Sequence, residues 1–234
     1  MTNEQGATET NIQRAPILGV IIAGAIAALL NQTLLNVALP KLMEQFHITT
    51  STAQWVITIY MLVNGVLIPT TAFLMEKYTT RQLFISAMSL FAAGTLICGI
   101  APSFSIMLIG RVVQAAGAGI LMPLMTNVIF NMFPADRRGS AMGIVGIAMV
   151  FAPAIGPTLS GWIVEHYSWR LLFFVVLPIA LIVLVTSFFV LKNVTETQNP
   201  KLDSWGVVLS TIGFGGLLYG FSSAGAAGWR SAEV

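Results

Sequence analysis

The absence of charge over long stretches limits the fold of this chain more than any other feature of its sequence. Arg14 and Lys41 bracket 26 residues without an Asp, Glu, Lys or Arg; Arg138 and Glu165 bracket another 26, and Arg170 and Lys192 bracket 21. A helix rising 1.5 Å per residue needs about 20 residues to cross the ~30 Å hydrocarbon core of a bilayer. Each run is long enough. Further apolar segments lie at 53–75 and between Arg81 and Phe133, the latter divided by the turn-forming Ala101-Pro102-Ser103. A Gly-rich segment follows Asp203.

The sequence therefore predicts seven spans, at 16–39, 53–75, 83–101, 106–130, 139–162, 170–191 and 205–225. Around them fall a polar tail (1–15), a linker (192–204) and a loop (226–234). β-barrel strands would be about 10 residues long and alternate apolar with polar, a pattern not found here. Charged residues make up 9% of the 234, against about 25% in soluble domains, too few to surface a soluble enzyme. The predicted fold class is an all-α polytopic membrane protein.

Basic residues give an orientation. With the N-terminus cytoplasmic, that side receives Arg14, Lys77, Arg81, Arg137, Arg138, Lys192 and Lys201, and the other receives Lys41, Arg170 and Arg230. Seven against three follows the positive-inside rule. The first 15 residues lack a basic segment ahead of the apolar run, so no cleaved targeting peptide is expected. The basic residues are dispersed among loops, which argues against a nucleic-acid patch.

Scarcity excludes several chemistries. The single Cys98 forms neither an internal disulfide nor a metal cluster and reads as a small hydrophobe. His47 and His166 fall in predicted loops, leaving no intramembrane histidine for a Ser–His protease. No lysine lies in the seventh span to hold retinal. No cofactor or metal is expected.

The polar groups inside the spans are then the candidates. Arg111 is the one charge inside a predicted span away from its ends, Arg170 marking the outer edge of the sixth, at a cost of ~3 kcal/mol near mid-depth. It has two readings: a functional group turned into the bundle, or a snorkelling side chain about five residues from its helix end. Gln114, Ala115 and Ala118 continue its stripe. In the first span, Gln32, Thr33 and Asn36 share a face at about 100° per residue, while Asn31 points elsewhere, along a stripe with Gly24, Ala27 and Ala28. Such groups serve as interhelical glue or line a pathway. In the fifth span, Gly139, Gly143, Gly146, Pro153, Pro157 and Gly161 fall near one line, a smooth and kinked face suited to sliding against another helix.

These residues carry a family resemblance. Leu30-Asn31-Gln32-Thr33-Leu34-Leu35-Asn36-Val37-Ala38-Leu39-Pro40 is similar to the first-helix motif L-D-x-T-x-x-N-V-A-L-P of the major facilitator superfamily. Within it, the match is to the 14-span drug:proton antiporters of the EmrB/QacA type, including lincomycin-resistance exporters. Gln54-Trp55-Val56 with Tyr60 resembles the opening of the second helix. Arg111-Val112-Val113-Gln114 with Gly117 resembles R-x-x-Q-G-x-G. Gly143, then Ala152-Pro153-Ala154-Ile155-Gly156-Pro157-Thr158-Leu159-Ser160-Gly161, resembles the antiporter motif G-x8-G-x3-G-P-x2-G-G. Residues Ala72 to Arg81 correspond to the gating loop G-x-L-x-D-R-x-G-R-R, keeping charges at Glu76, Lys77 and Arg81 but neither glycine.

The resemblance implies an N-terminal six-helix bundle of 3+3 inverted repeats, here followed by one extra Gly-rich helix. It implies proton-coupled multidrug efflux by alternating access in a bacterial cell membrane, with small amphipathic drugs and protons as partners. Arg111 would take part in coupling, the fifth-helix motif would limit leakage, and the 76–81 charges would latch one conformation. Asn31 stands where the family motif has an aspartate, and an amide cannot carry the proton. The family has two bundles, so this chain reads as a partial form lacking a C-terminal half. The alternative is a non-transporting membrane protein, a half-transporter pairing with a second copy or another partner; a receptor-like seven-span protein is third. The orientation is testable: a cysteine placed at Arg137 should react with a membrane-impermeant thiol reagent only after the cells are opened.

Overall fold

The computed structural model describes residues 14–193 and, further on, positions 205, 206, 208, 209, 211–213, 215–217 and 220. Six helices run in order: α1 Arg14–Phe46, α2 Thr50–Lys77, α3 Thr80–Ile100, α4 Phe104–Met132, α5 Ala135–His166 and α6 Arg170–Val190. The described positions between 205 and 220 are also helical. The rest of the seventh segment, most of the N-terminal tail, the linker from 194 and the loop at 226–234 lie outside the described residues.

Helices outrun the apolar stretches because their stop signals sit in the loops. Helix α1 passes through Pro40 to Phe46, 33 residues or about 50 Å. It ends where His47 adopts a left-handed φ of 52° and Ile48 N–H returns to the Met43 carbonyl at 3.2 Å, a C-terminal cap that usually carries glycine. Thr49 then caps α2 by accepting from Thr52 N–H. Thr79 and Gln82 form a reciprocal capping box at the start of α3, and Ser103 accepts from Ile106 N–H at the start of α4.

Five helices are individually long and apolar enough to cross a membrane. Helix α2, bent by 53° between Thr50–Leu67 and Thr70–Lys77, makes a sixth span when its two arms count as one. The fold is all-helical among the described residues, and its outward faces are apolar: Ile182, Val185 and Phe189 on α6 and Leu96 and Ile100 on α3 are all exposed. Such surfaces belong against lipid.

The packing has an internal symmetry. The principal partners are α3 with α4, α2 with α4, α1 with α5, α3 with α6 and α1 with α6. Exchanging the first three helices for the second three maps α1–α5 onto α4–α2 and α1–α6 onto α4–α3, and leaves α3–α6 in place. Three spans per unit means that consecutive units enter the bilayer in opposite directions. This is a 3+3 inverted repeat.

Close approach between helices rests on missing side chains. A Cβ on Gly117 of α4 would overlap the Ala87 carbonyl of α3 and lie 2.6 Å from Phe91 N. A Cβ on Gly156 of α5 would overlap Thr33 Oγ1 of α1 and lie 2.9 Å from Thr33 Cβ. Small residues let backbones approach where lipid supplies no hydrophobic drive for association.

His47→Gly should relieve the left-handed cost and stabilise the detergent-solubilised chain by about 1 kcal/mol, whereas His47→Val should lower its thermal midpoint. A scanning fluorescence melt of the three forms is the check.

Candidate functional site

Helix α4 carries Arg111 and Gln114 one turn apart on its buried face, since residues three apart lie on one side of a helix. Arg111 has no exposed surface. Its Nε donates to the Val56 carbonyl of α2 at 3.1 Å. Its Nη1 donates to Asn31 Oδ1 of α1 at 2.9 Å and to Gln114 Oε1 at 2.7 Å. The guanidinium carbon stands 4.0 Å from the Tyr60 ring centroid, a distance at which the ring face attracts the cation. Gln114 Nε2 donates onward to Thr95 Oγ1 of α3 at 2.7 Å, and Thr95 donates to the Phe91 carbonyl at 2.6 Å.

The result is a continuous hydrogen-bonded chain through four helices. Among the described residues the guanidinium's side-chain partners are neutral: two amides and an aromatic ring. Of the two readings of Arg111, the geometry excludes snorkelling, because the side chain crosses to α1 and α2 instead of running to its own helix end. Asn31 is buried in this network. Thr95 was not singled out by the sequence; a lone threonine in an apolar helix returns its hydroxyl proton to the carbonyl four residues back, which leaves its acceptor role invisible.

The other first-helix candidates face differently. Thr33 is partly buried and bonds the Leu29 and Leu30 carbonyls of its own helix at 3.2 and 3.0 Å; Gln32 is partly buried and Asn36 is exposed. The structure thus separates Asn31 from Gln32, Thr33 and Asn36.

The fifth-helix motif splits in two. Gly143, Pro153 and Pro157 lie exposed and Gly161 is partly buried, and a Cβ added at Gly143 or Gly161 would meet nothing within 4 Å. The line read as a sliding face touches no other described helix at those glycines. The neighbouring line, Ala152, Gly156 and Ser160, is buried against α1, with Ser160 Oγ donating to the Leu34 carbonyl at 2.5 Å.

At the α2–α3 turn, Glu76, Lys77 and Arg81 are all exposed. Lys77 lies over the Phe73 and Tyr78 rings at 5.6 and 5.7 Å. Arg81 turns away toward α6 and donates from Nη2 to the Phe188 carbonyl at 2.7 Å. Among the described residues the ion pairs are Lys41–Glu44 and Asp136–Arg137, so the three charges do not pair with one another.

The sequence profile of the Major Facilitator Superfamily matches residues 21–231. An uncharacterized MFS-type transporter of Bacillus subtilis, YcnB, is 55% identical over 94% of this chain and 47% of its own length. The lincomycin resistance protein LmrB of Listeria monocytogenes is 44% identical over 95% of the chain and 47% of its own length. The chain spans about half the length of these curated relatives. Among solved structures, the human organic anion transporter MFSD10 superposes with a TM-score of 0.72 at 16% identity, covering 91% of this chain and 56% of that one.

Arg111→Met should strand the Val56, Asn31 and Gln114 oxygens in an apolar interior and cost on the order of 3 kcal/mol. Its thermal midpoint in detergent should fall well below that of Arg137→Met, an exposed control.

Proposed function

Because the chain belongs to the Major Facilitator Superfamily, and is thus a multi-pass membrane protein of a transporter family and not an enzyme, we propose that it is the N-terminal half of a proton-coupled multidrug exporter working by alternating access. The observation that carries this reading is the arrangement of the bundle. Arg111 ties α1, α2 and α4 together directly and reaches α3 through Gln114, while no described helix covers the α5 face bearing Gly143, Pro153 and Pro157. A rigid centre and an open, small-residue flank suit a body that rocks as a unit against a second bundle.

In this reading Gln32 and Asn36 face the shared cavity, and the Arg111 network transmits protonation elsewhere in the protein to the helices around it. Asn31 holds no proton of its own, so the acid that does belongs to the remaining half. The N-terminus is cytoplasmic, as the seven-to-three distribution of basic residues supports, and the chain resides in a bacterial plasma membrane. Glu76, Lys77 and Arg81 then lie at the cytoplasmic edge and contribute to gating. Substrates are small amphipathic drugs, for which lincomycin is the first probe, given the name of one relative.

The test uses cells expressing the full-length reading frame. Lincomycin accumulation should be low and should rise on adding a protonophore; accumulation indifferent to the protonophore removes the coupling claim. Arg111→Ala should abolish efflux with the protein still in the membrane. A stable, non-transporting dimer of the 234-residue chain would instead favour the half-transporter reading, in which a second copy covers α5.

A further inference from the structure

We propose that the groove between the first turn of α3 and the last turn of α6 binds an anionic phospholipid, with the headgroup phosphate on Arg81 and an acyl chain along Ile85 and Phe188. The groove encloses about 420 Å³, and Arg81, Gln82, Ile85, Ser86, Phe188 and Asn193 line it. No acidic residue lines it among the described residues. This inference does not depend on transport, and it concerns the bundle's outer surface, not the Arg111 network.

Three observations identify the occupant. The first is position. Below the groove the large exposed side chains on both helices are apolar, including Leu90 and Leu96 on α3 and Ile182 and Val185 on α6, with the small Ser89 the polar exposed residue among them, so this flank meets hydrocarbon. The groove sits where those faces give way to polar Ser86, Gln82 and Asn193, the level of lipid headgroups. The second is charge. Arg81 spends one Nη2 hydrogen bond on the neutral Phe188 carbonyl and takes part in neither ion pair of the described residues. Among the described residues its positive charge is therefore uncompensated, and exposed Lys192 lies next to Asn193 in the chain. The N-terminal end of the 21-residue α3 adds potential of the same sign. The third is shape. An apolar floor of Ile85 and Phe188 beside a guanidinium fits an amphiphile with an anionic end. A basic side chain at a membrane surface contributes attraction for acidic lipid over zwitterionic lipid.

Native mass spectrometry of the full chain released from detergent containing phosphatidylglycerol or phosphatidylcholine tests this. The wild type should retain one phosphatidylglycerol about fivefold more often than phosphatidylcholine, the value of roughly one basic contact. Arg81→Gln should abolish that preference. Ser86→Trp should also abolish it by filling the groove while leaving the Arg81–Phe188 bond intact, which separates lipid loss from a loosened α3–α6 contact. Equal retention of the two lipids by the wild type, as when another segment of the chain occupies the groove, overturns the proposal. So does an unchanged preference in Ser86→Trp, or an equally retained complex with soluble glycerol phosphate, which would indicate a site for a free anion.

Discussion

A guanidinium in the middle of an apolar bundle has to be solvated by the protein, and the rest of this structure follows from how that is done. Water would have supplied Arg111 with acceptors from every side; here a backbone carbonyl, two amide oxygens and an aromatic face do so. Each acceptor comes from a defined place on α1, α2 or α4, so the cation fixes how the helices are rotated relative to one another. Because a buried polar group without a partner costs more than a made bond returns, the arrangement is selected chiefly by what it avoids.

The second constraint is close packing without a hydrophobic drive. Lipid is as apolar as leucine, so helix association depends on contact area and on backbones drawn near. Gly117 against Ala87 and Phe91, and Gly156 against Thr33, show this on two sides of the bundle. The polar network and the small-residue contacts divide the work. The network determines which faces meet, and the glycines let them meet closely.

Much of this was legible in the sequence. Charge spacing revealed helices that cross a membrane, and the family resemblance supplied the repeat architecture, because length and hydropathy are properties of single segments. Contacts between segments were harder to read. Helix α5 has two neighbouring small-residue lines, and periodicity cannot tell which of them packs; the structure buries Ala152, Gly156 and Ser160 and leaves the glycine–proline line open. Asn31 could be separated from Gln32 and Asn36 by angle alone, but not joined to Arg111 across 80 residues. Retained charge at Arg81 likewise gave no direction for its side chain, which goes to α6.

The symmetric packing has a consequence for biogenesis. Helices α2 and α3 hardly touch each other, although they are consecutive; the main partner of α2 is α4, and that of α1 is α5. The first three helices thus leave the insertion machinery with most of their partners still unmade. Asn31 and Thr95 must wait in the bilayer, or against the machinery itself, until the fourth helix brings Arg111 and Gln114 to them. The bundle closes late in synthesis, and a ribosome stalled before α4 would leave three helices with almost nothing to hold them together.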